Sequence, residues 1–202
     1  MSDSKTQWFE EHYPTVKAKL GMEVEQWLHS SKSEFQKIDV FESKGFGRVM
    51  LIDDLVMLTE KDEFVYHEMI AHIPVNVHPN PQRVLVIGAG DGGTLRELLK
   101  HPEIKSLDLV EIDKMVADVS KQYFPDVACG YDDDRVECFW EDGVAYVNNC
   151  DKEYDIIVID STDPFGPGEG LFTTEFYQRC HDLLSNNGIL VNQAESPQWT
   201  PN

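Results

Sequence analysis

Basic residues are scarce in this chain. Across 202 residues, 17 Lys and Arg stand against 37 Asp and Glu, a formal net charge of −20. Nucleic-acid binding needs basic patches, so nucleic acid is excluded as a partner. No apolar run approaches the roughly 20 residues of a membrane-spanning helix, and no membrane partner is expected. The start, Met1-Ser2-Asp3-Ser4-Lys5, lacks a charged segment followed by an apolar one, so no secretory leader is expected. Cysteines are few and scattered (Cys129, Cys138, Cys150, Cys180), without C-x-x-C spacing and without His at metal-ligand spacing. They read as isolated thiols in a reducing cytosol, which places the protein in the cytoplasm with no metal and no disulfide. Repeats and low-complexity tracts are absent too. What remains, with 41% hydrophobic residues, is one sizeable core with a small accessory domain. The acidic surface serves solubility or steers a small cation, and composition leaves both open.

The most informative segment is Val84-Leu85-Val86-Ile87-Gly88-Ala89-Gly90-Asp91-Gly92-Gly93. Four apolar residues predict a buried parallel strand, and Thr94-Leu95-Arg96-Glu97-Leu98-Leu99-Lys100 predicts the helix after it. Gly88, Gly90 and Gly93 satisfy G-x-G-x-x-G, a dinucleotide-binding pattern. Asp91 argues against a dinucleotide. Such a loop offers backbone N–H groups and a positive helix end to a pyrophosphate, which an aspartate in the same loop repels. The loop suits a nucleoside without phosphate, preferably one carrying a cation, as in sulfonium nucleosides of the S-adenosylmethionine type.

Residues 1–62 are expected to form an N-terminal antiparallel β domain, with strands at 35–42, 47–53 and 56–59 and turns at 43–46 and at Asp53-Asp54. A helix is predicted from Glu63 to His72, stopping before Pro74. Residues 63–202 then alternate strand and helix. Strands are expected at 84–87, 106–111, 136–140, 155–160 and 189–193. Helices are expected at 94–100, 115–123, 143–149 and 174–184, the last terminated by Gly188. The fold class is α/β: a doubly wound, mainly parallel, Rossmann-like sheet of the S-adenosylmethionine-methyltransferase type, preceded by the small β domain. Ligands of such sheets bind beyond the carboxyl ends of the strands.

Those ends carry Asp91, Glu111, Asp142 and Asp160, with Asp163 one step beyond. Glu111 lies 23 positions after Gly88, close to the spacing at which an acidic residue takes ribose hydroxyls. Asp142 before Gly143 reads equally as an acceptor for an adenine amino group or as a plain helix cap. Asp160-Ser161-Thr162-Asp163-Pro164 places two carboxylates at the tip of a buried strand. No His lies nearby, and Mg²⁺ usually accompanies a phosphate substrate that Asp91 disfavours. Acid/base chemistry on a sugar would leave the glycine loop without a role. Two anions facing a di-cationic amine fit best; a turn capped by Asp side chains is the structural alternative.

These residues resemble the polyamine aminopropyltransferases. The resemblance is carried by Trp8-Phe9-Glu10-Glu11, Tyr66-His67-Glu68-Met69, the Gly88–Gly93 loop, Val110-Glu111-Ile112-Asp113, Asp160–Pro164 and Gly166-Pro167. It implies transfer of an aminopropyl group from decarboxylated S-adenosylmethionine, a co-substrate rather than a cofactor, to putrescine, releasing spermidine and 5′-methylthioadenosine. It also implies residue roles. Asp160 is the general base. Gln36, His67, Asp91, Glu111, Asp142, Gly143 and Pro167 serve the donor: Asp91 holds the aminopropyl ammonium, Glu111 the ribose, and Asp142 with Gly143 the adenine on which Pro167 packs. Tyr66, Asp163, Gln193 and Glu195 serve the acceptor. No metal is implied, and the partners are small molecules together with further copies in a homodimer or homotetramer. Members of that family continue past the position of Asn202 with further strands, so this chain is expected to be a fragment or a truncated form.

Two other readings stay open at this level: a methyltransferase using S-adenosylmethionine itself, and an inactive nucleoside-binding fragment. A nicotinamide-dependent dehydrogenase is excluded by Asp91. The preferred amine acceptor is not fixed by these residues.

Overall fold

The computed structural model describes residues 6–162 and 166–194, without the side chain of Pro167. They form two compact units, one running to Glu63 and the other spanning Phe64–Ala194. Asp163 and Glu195, both expected at the site, lie outside the described residues, as does the side chain of Pro167.

The first unit is an antiparallel meander of five strands in sequential order: β1 (Gln7–Tyr13), β2 (Ala18–Lys32), β3 (Lys37–Ser43), β4 (Gly47–Ile52) and β5 (Leu55–Thr59). The last three were expected. β1 and β2 escaped the period-2 reading because β2 is long, polar and largely exposed, and register irregularities interrupt its pairing with β3. Met22, Val24, Phe41, Val49 and Leu51 form its apolar cluster, against which Phe9, Phe46 and Val56 pack. Asp53 and Asp54 both take positive φ, the conformation that two-residue hairpin turns require.

The second unit opens with α1 (Glu63–Val77), which continues through Pro74 instead of stopping before it. A proline inside a helix removes one hydrogen bond and costs about 3 kcal/mol. Pro74 lies on the buried face with Ile70, Ala71 and Val75, and burying that face offsets the loss.

The parallel strands are β6 (Arg83–Gly88), β7 (Ser106–Val110), β8 (Val136–Phe139), β9 (Tyr154–Asp160) and β10 (Leu184–Asn192), in the spatial order β10-β9-β6-β7-β8. Between them run α2 (Gly93–Leu99), α3 (Lys114–Tyr123), α4 (Gly143–Asn149) and α5 (Thr174–Leu183), with 3₁₀ turns at Ala128–Asp132 and Gly166–Phe172. The fold is thus the doubly wound sheet that the alternation predicted. Gly188 does not terminate the last helix: α5 ends at Leu183, Leu184 already pairs with Tyr154, and Gly188 lies inside β10.

Alternate side chains of the strands face opposite layers. Val84, Val86, Leu107 and Leu109 pack with Ile70, Ala71, Leu95, Leu98 and Ala117 of α1, α2 and α3. Leu85, Ile87, Val110 and Ile157 pack with Tyr146, Val147, Phe176 and Cys180 of α4 and α5. The chain leaves β6 for β7 and β8 on one side, then returns to β9 on the other. That reversal opens a crevice beyond the carboxyl ends of β6 and β9, where doubly wound sheets hold their ligands. The four cysteines are free thiols, with Cys150 and Cys180 buried in the core. Among the described residues no helix is long and apolar enough to cross a membrane.

Candidate active site

The crevice begins where Gly88 and Asp160 stand side by side at the ends of β6 and β9. The chain then turns sharply. Ala89 takes φ 58° and its N–H donates to the Asp160 carbonyl at 2.8 Å. Asp91 Oδ1 accepts the Gly93 N–H at 2.6 Å, which points the carboxylate along the first turn of α2. Behind the loop, the Tyr131 hydroxyl donates to the Gly90 carbonyl at 2.8 Å, and the Tyr131 ring stacks near that of Trp140.

Two consecutive residues of α1 reach the two carboxylates. His67 is buried, and its Nε2 lies 3.3 Å from Asp91 Oδ1. Its ring occupies the space beside Gly93: a Cβ there would fall 2.2–2.5 Å from the imidazole atoms. Tyr66 donates its hydroxyl to Asp160 Oδ1 at 2.5 Å, with its ring edge-on to that of His67. Thr94 in α2 donates to Asp160 Oδ2 at 2.6 Å. Asp160 therefore has a hydroxyl on each oxygen.

The electrostatics are those of crowded anions. Burial and the charge of Asp91 push the Asp160 carboxyl above the usual carboxylate range, against the bonds from Thr94 and Tyr66 and the nearby His67. Glu111 follows β7, its N–H donating to the Phe139 carbonyl at 3.0 Å. Its Oε1 accepts the Asp113 N–H at 2.8 Å. Burial raises the Glu111 carboxyl to about 7, helped by the charges of Asp113, Asp91 and Asp160 and opposed by that backbone bond. Desolvation and the Asp160 charge raise the Tyr66 phenol, so it stays a proton donor at neutral pH.

The other expected residues are placed as follows. Asp142 is exposed and caps α4, accepting the Val144 N–H at 2.9 Å. Gly143 lets α4 approach β6, since a Cβ there would lie 2.6 Å from Ile87 Cγ2. Gln193 extends the end of β10, donating its N–H to the Ile159 carbonyl at 2.8 Å. Its side-chain Oε1 is buried without a hydrogen-bond partner among the described residues. Gln36 belongs to the first unit, where its N–H donates to Ser33 Oγ at 3.1 Å. Structure thus brings together Tyr66, His67, Asp91, Glu111 and Asp160. Sequence reasoning missed Thr94 and Tyr131. A hydroxyl residue opening the helix after a glycine loop was the available signal for Thr94; nothing local marks Tyr131.

Residues 63–202 match the family described as "Spermine/spermidine synthase domain". The chain belongs to this family. Residues 7–60 match a second family, "Spermidine synthase tetramerisation domain". A polyamine aminopropyltransferase of Clostridium beijerinckii is 53% identical over 192 residues, covering 95% of this chain and 67% of that protein. That of Clostridioides difficile is 53% identical over 193 residues, covering 95% and 68%. The crystal structure of a spermidine synthase in complex with the transition state analogue AdoDATO is similar, with a TM-score of 0.92 and 42% identity, covering 98% of this chain and 69% of that one. The Thermotoga maritima spermidine synthase gives 0.91 and 42%, covering 98% and 67%. This aminopropyltransferase-family chain spans about two thirds of the length of those curated relatives.

Proposed function

We propose that the chain is a spermidine synthase, transferring the aminopropyl group of decarboxylated S-adenosylmethionine to putrescine and releasing spermidine and 5′-methylthioadenosine. The observation that carries this reading is Asp91, bonded to the Gly93 N–H where a phosphate would otherwise sit. Asp160 and Glu111 both feel its charge. The positive helix end is already occupied by a carboxylate, so a cation is the complementary ligand. The AdoDATO complex of a similar spermidine synthase supports the same conclusion.

In this reading Asp91, braced by His67, takes the donor's ammonium. Glu111 takes the ribose hydroxyls, and Asp142 with Gly143 meets the adenine. Tyr66 and Gln193 line the acceptor side. The neutral amine of putrescine attacks the methylene bonded to the sulfonium. The N–C bond forms as the C–S bond breaks, the electron pair goes to sulfur as a thioether, and the nitrogen's surplus proton passes to Asp160. An alkylammonium with pKa of about 10.4 costs roughly 4–5 kcal/mol to deprotonate at pH 7. Raising the Asp160 carboxyl narrows its mismatch with that proton, and alignment along the C–S axis is the other large contribution. The match of residues 7–60 to a tetramerisation domain supports a homo-oligomer.

The test is a product assay with decarboxylated S-adenosylmethionine and putrescine. Spermidine and methylthioadenosine formed in equal amounts is the expected result. Absence of spermidine, or methyl transfer from S-adenosylmethionine in its place, overturns the reading for this chain.

A further inference from the structure

Thr94 is completely buried, and a buried hydroxyl must find a partner or cost stability. Thr94 is the second residue of α2, so no helical carbonyl lies four residues before it; the loop carbonyl at that position, of Gly90, receives the Tyr131 hydroxyl. The Thr94 hydroxyl instead leaves its own helix for Asp160 Oδ2, 66 residues away in sequence, at 2.6 Å. Valine would fill the same volume, so packing alone does not call for the oxygen. The opposite oxygen, Oδ1, carries Tyr66, a residue exposed to solvent where Thr94 is not.

We propose that Thr94 is a positioning residue for the aminopropyl transfer: by holding Oδ2 of Asp160 it presents Oδ1, on the Tyr66 side, as the oxygen that receives the amine's proton. The inference rests on the reaction proposed above. Without the Thr94 bond the Tyr66 hydroxyl alone holds the carboxylate, which can then pivot about that contact, so Oδ1 is no longer kept at one angle to the attacking nitrogen. The bond also favours the ionised carboxylate, which a base needs before it can accept a proton. The groups acting on Asp160 are Tyr66 and His67 from α1, Asp91 from the loop and Thr94 from α2, with Glu111 beyond β7 sensing its charge in turn. Among the described residues only Thr94 and Tyr66 donate hydroxyls to it.

The test compares Thr94→Val and Thr94→Ser in the full chain. Carbon-13 NMR of aspartate γ-carbons, with Asp160 assigned by its loss in Asp160→Asn, follows the carboxyl through a pH titration. The pH profile of kcat and the KM values are measured in parallel. Expected for Thr94→Val is a rise of the Asp160 midpoint by about one pH unit, the scale of one bond to a charged group. The acid limb of kcat should move with it, kcat should fall about tenfold, and donor KM should stay within about twofold. Thr94→Ser should restore midpoint and kcat. An unmoved midpoint, or a serine variant that behaves like the valine one, overturns the proposal. A parent chain that makes no spermidine while its midpoint still responds to Thr94→Val retains the clamp and overturns the reaction assigned to it.

Discussion

A Cβ built on Gly88 lies 2.1 Å from the backbone oxygen of Asp160, its register partner at the end of β9. Only a hydrogen fits there. Gly88 also takes φ +87°, left-handed backbone that costs an L-residue about 1–3 kcal/mol. The missing side chain lets the loop close on the strand that ends in the proposed base. Gly88→Ala is therefore expected to lose at least about 2 kcal/mol, combining that strain with displacement of β9. Binding of methylthioadenosine should weaken more than tenfold. Urea unfolding and calorimetric binding check both; an alanine variant within about 0.5 kcal/mol of the parent would show that the strand ends yield easily.

The burial of Glu111 sets a pH dependence of stability. Its carboxyl ionises near 7 in the folded chain and near 4.5 when unfolded. Between those values the folded state holds the extra proton, so unfolding becomes easier as pH rises from about 5 to about 8. The full penalty is on the order of 3 kcal/mol, present above pH 7 and absent below the unfolded value. Glu111→Gln, which can still accept the Asp113 N–H, should remove the share of this slope that Glu111 contributes and leave that of Asp160, whose carboxyl is also raised by burial. Stability measured at pH 5 and pH 8 should fall by about 1–3 kcal/mol more in the parent than in the variant. Identical slopes would remove Glu111 as its source.

Asp91 discriminates between two ligands that share a nucleoside. Decarboxylated S-adenosylmethionine carries an ammonium, and methylthioadenosine does not. Asp91→Ala should weaken the first by about 10–100-fold, the worth of one hydrogen bond to a charged group. The second should change by less than about threefold. Equal weakening of both would mean that Asp91 shapes the loop through Gly93 and leaves the ammonium to other groups.

Why some of this site was legible and some was not follows from sequence distance. Asp91, Glu111 and Asp160 each end a strand whose apolar run is visible locally, and the rule that ligands sit at strand ends collects them. His67 and Tyr66 lie on a helix where nothing local distinguishes them; family resemblance supplied them, and the fold shows why, since only α1 brings both beside the loop. Thr94 and Tyr131 act through partners 66 and 41 residues away, pairings that no window of neighbouring residues contains. Pro74 misled because the local rule for proline ignores what its helix face buries. Gly188 misled because a glycine near a helix end carries the same local signal whether it caps the helix or, as here, lies within the next strand.

Asp108 lies on the face of β7 that meets α4 and α5, three residues before Glu111. Its Oδ2 accepts the Tyr154 hydroxyl at 2.6 Å, the Tyr146 hydroxyl at 3.0 Å and the Lys152 ammonium at 2.7 Å. One carboxylate thus ties β7, α4 and the start of β9 together. Removing a donor leaves two others, whereas neutralising the acceptor strips the charge from all three bonds. Tyr154→Phe should therefore cost about 1–2 kcal/mol and Asp108→Asn about 3 kcal/mol. Both should leave methylthioadenosine affinity within about twofold, because the bonds hold layers of the core and touch none of the carboxylates at the crevice. Denaturant unfolding with parallel binding measurements separates the two effects. A loss of affinity that tracks the loss of stability would mean that the strand transmits strain to Glu111, and the sheet would then have to be counted as part of the site.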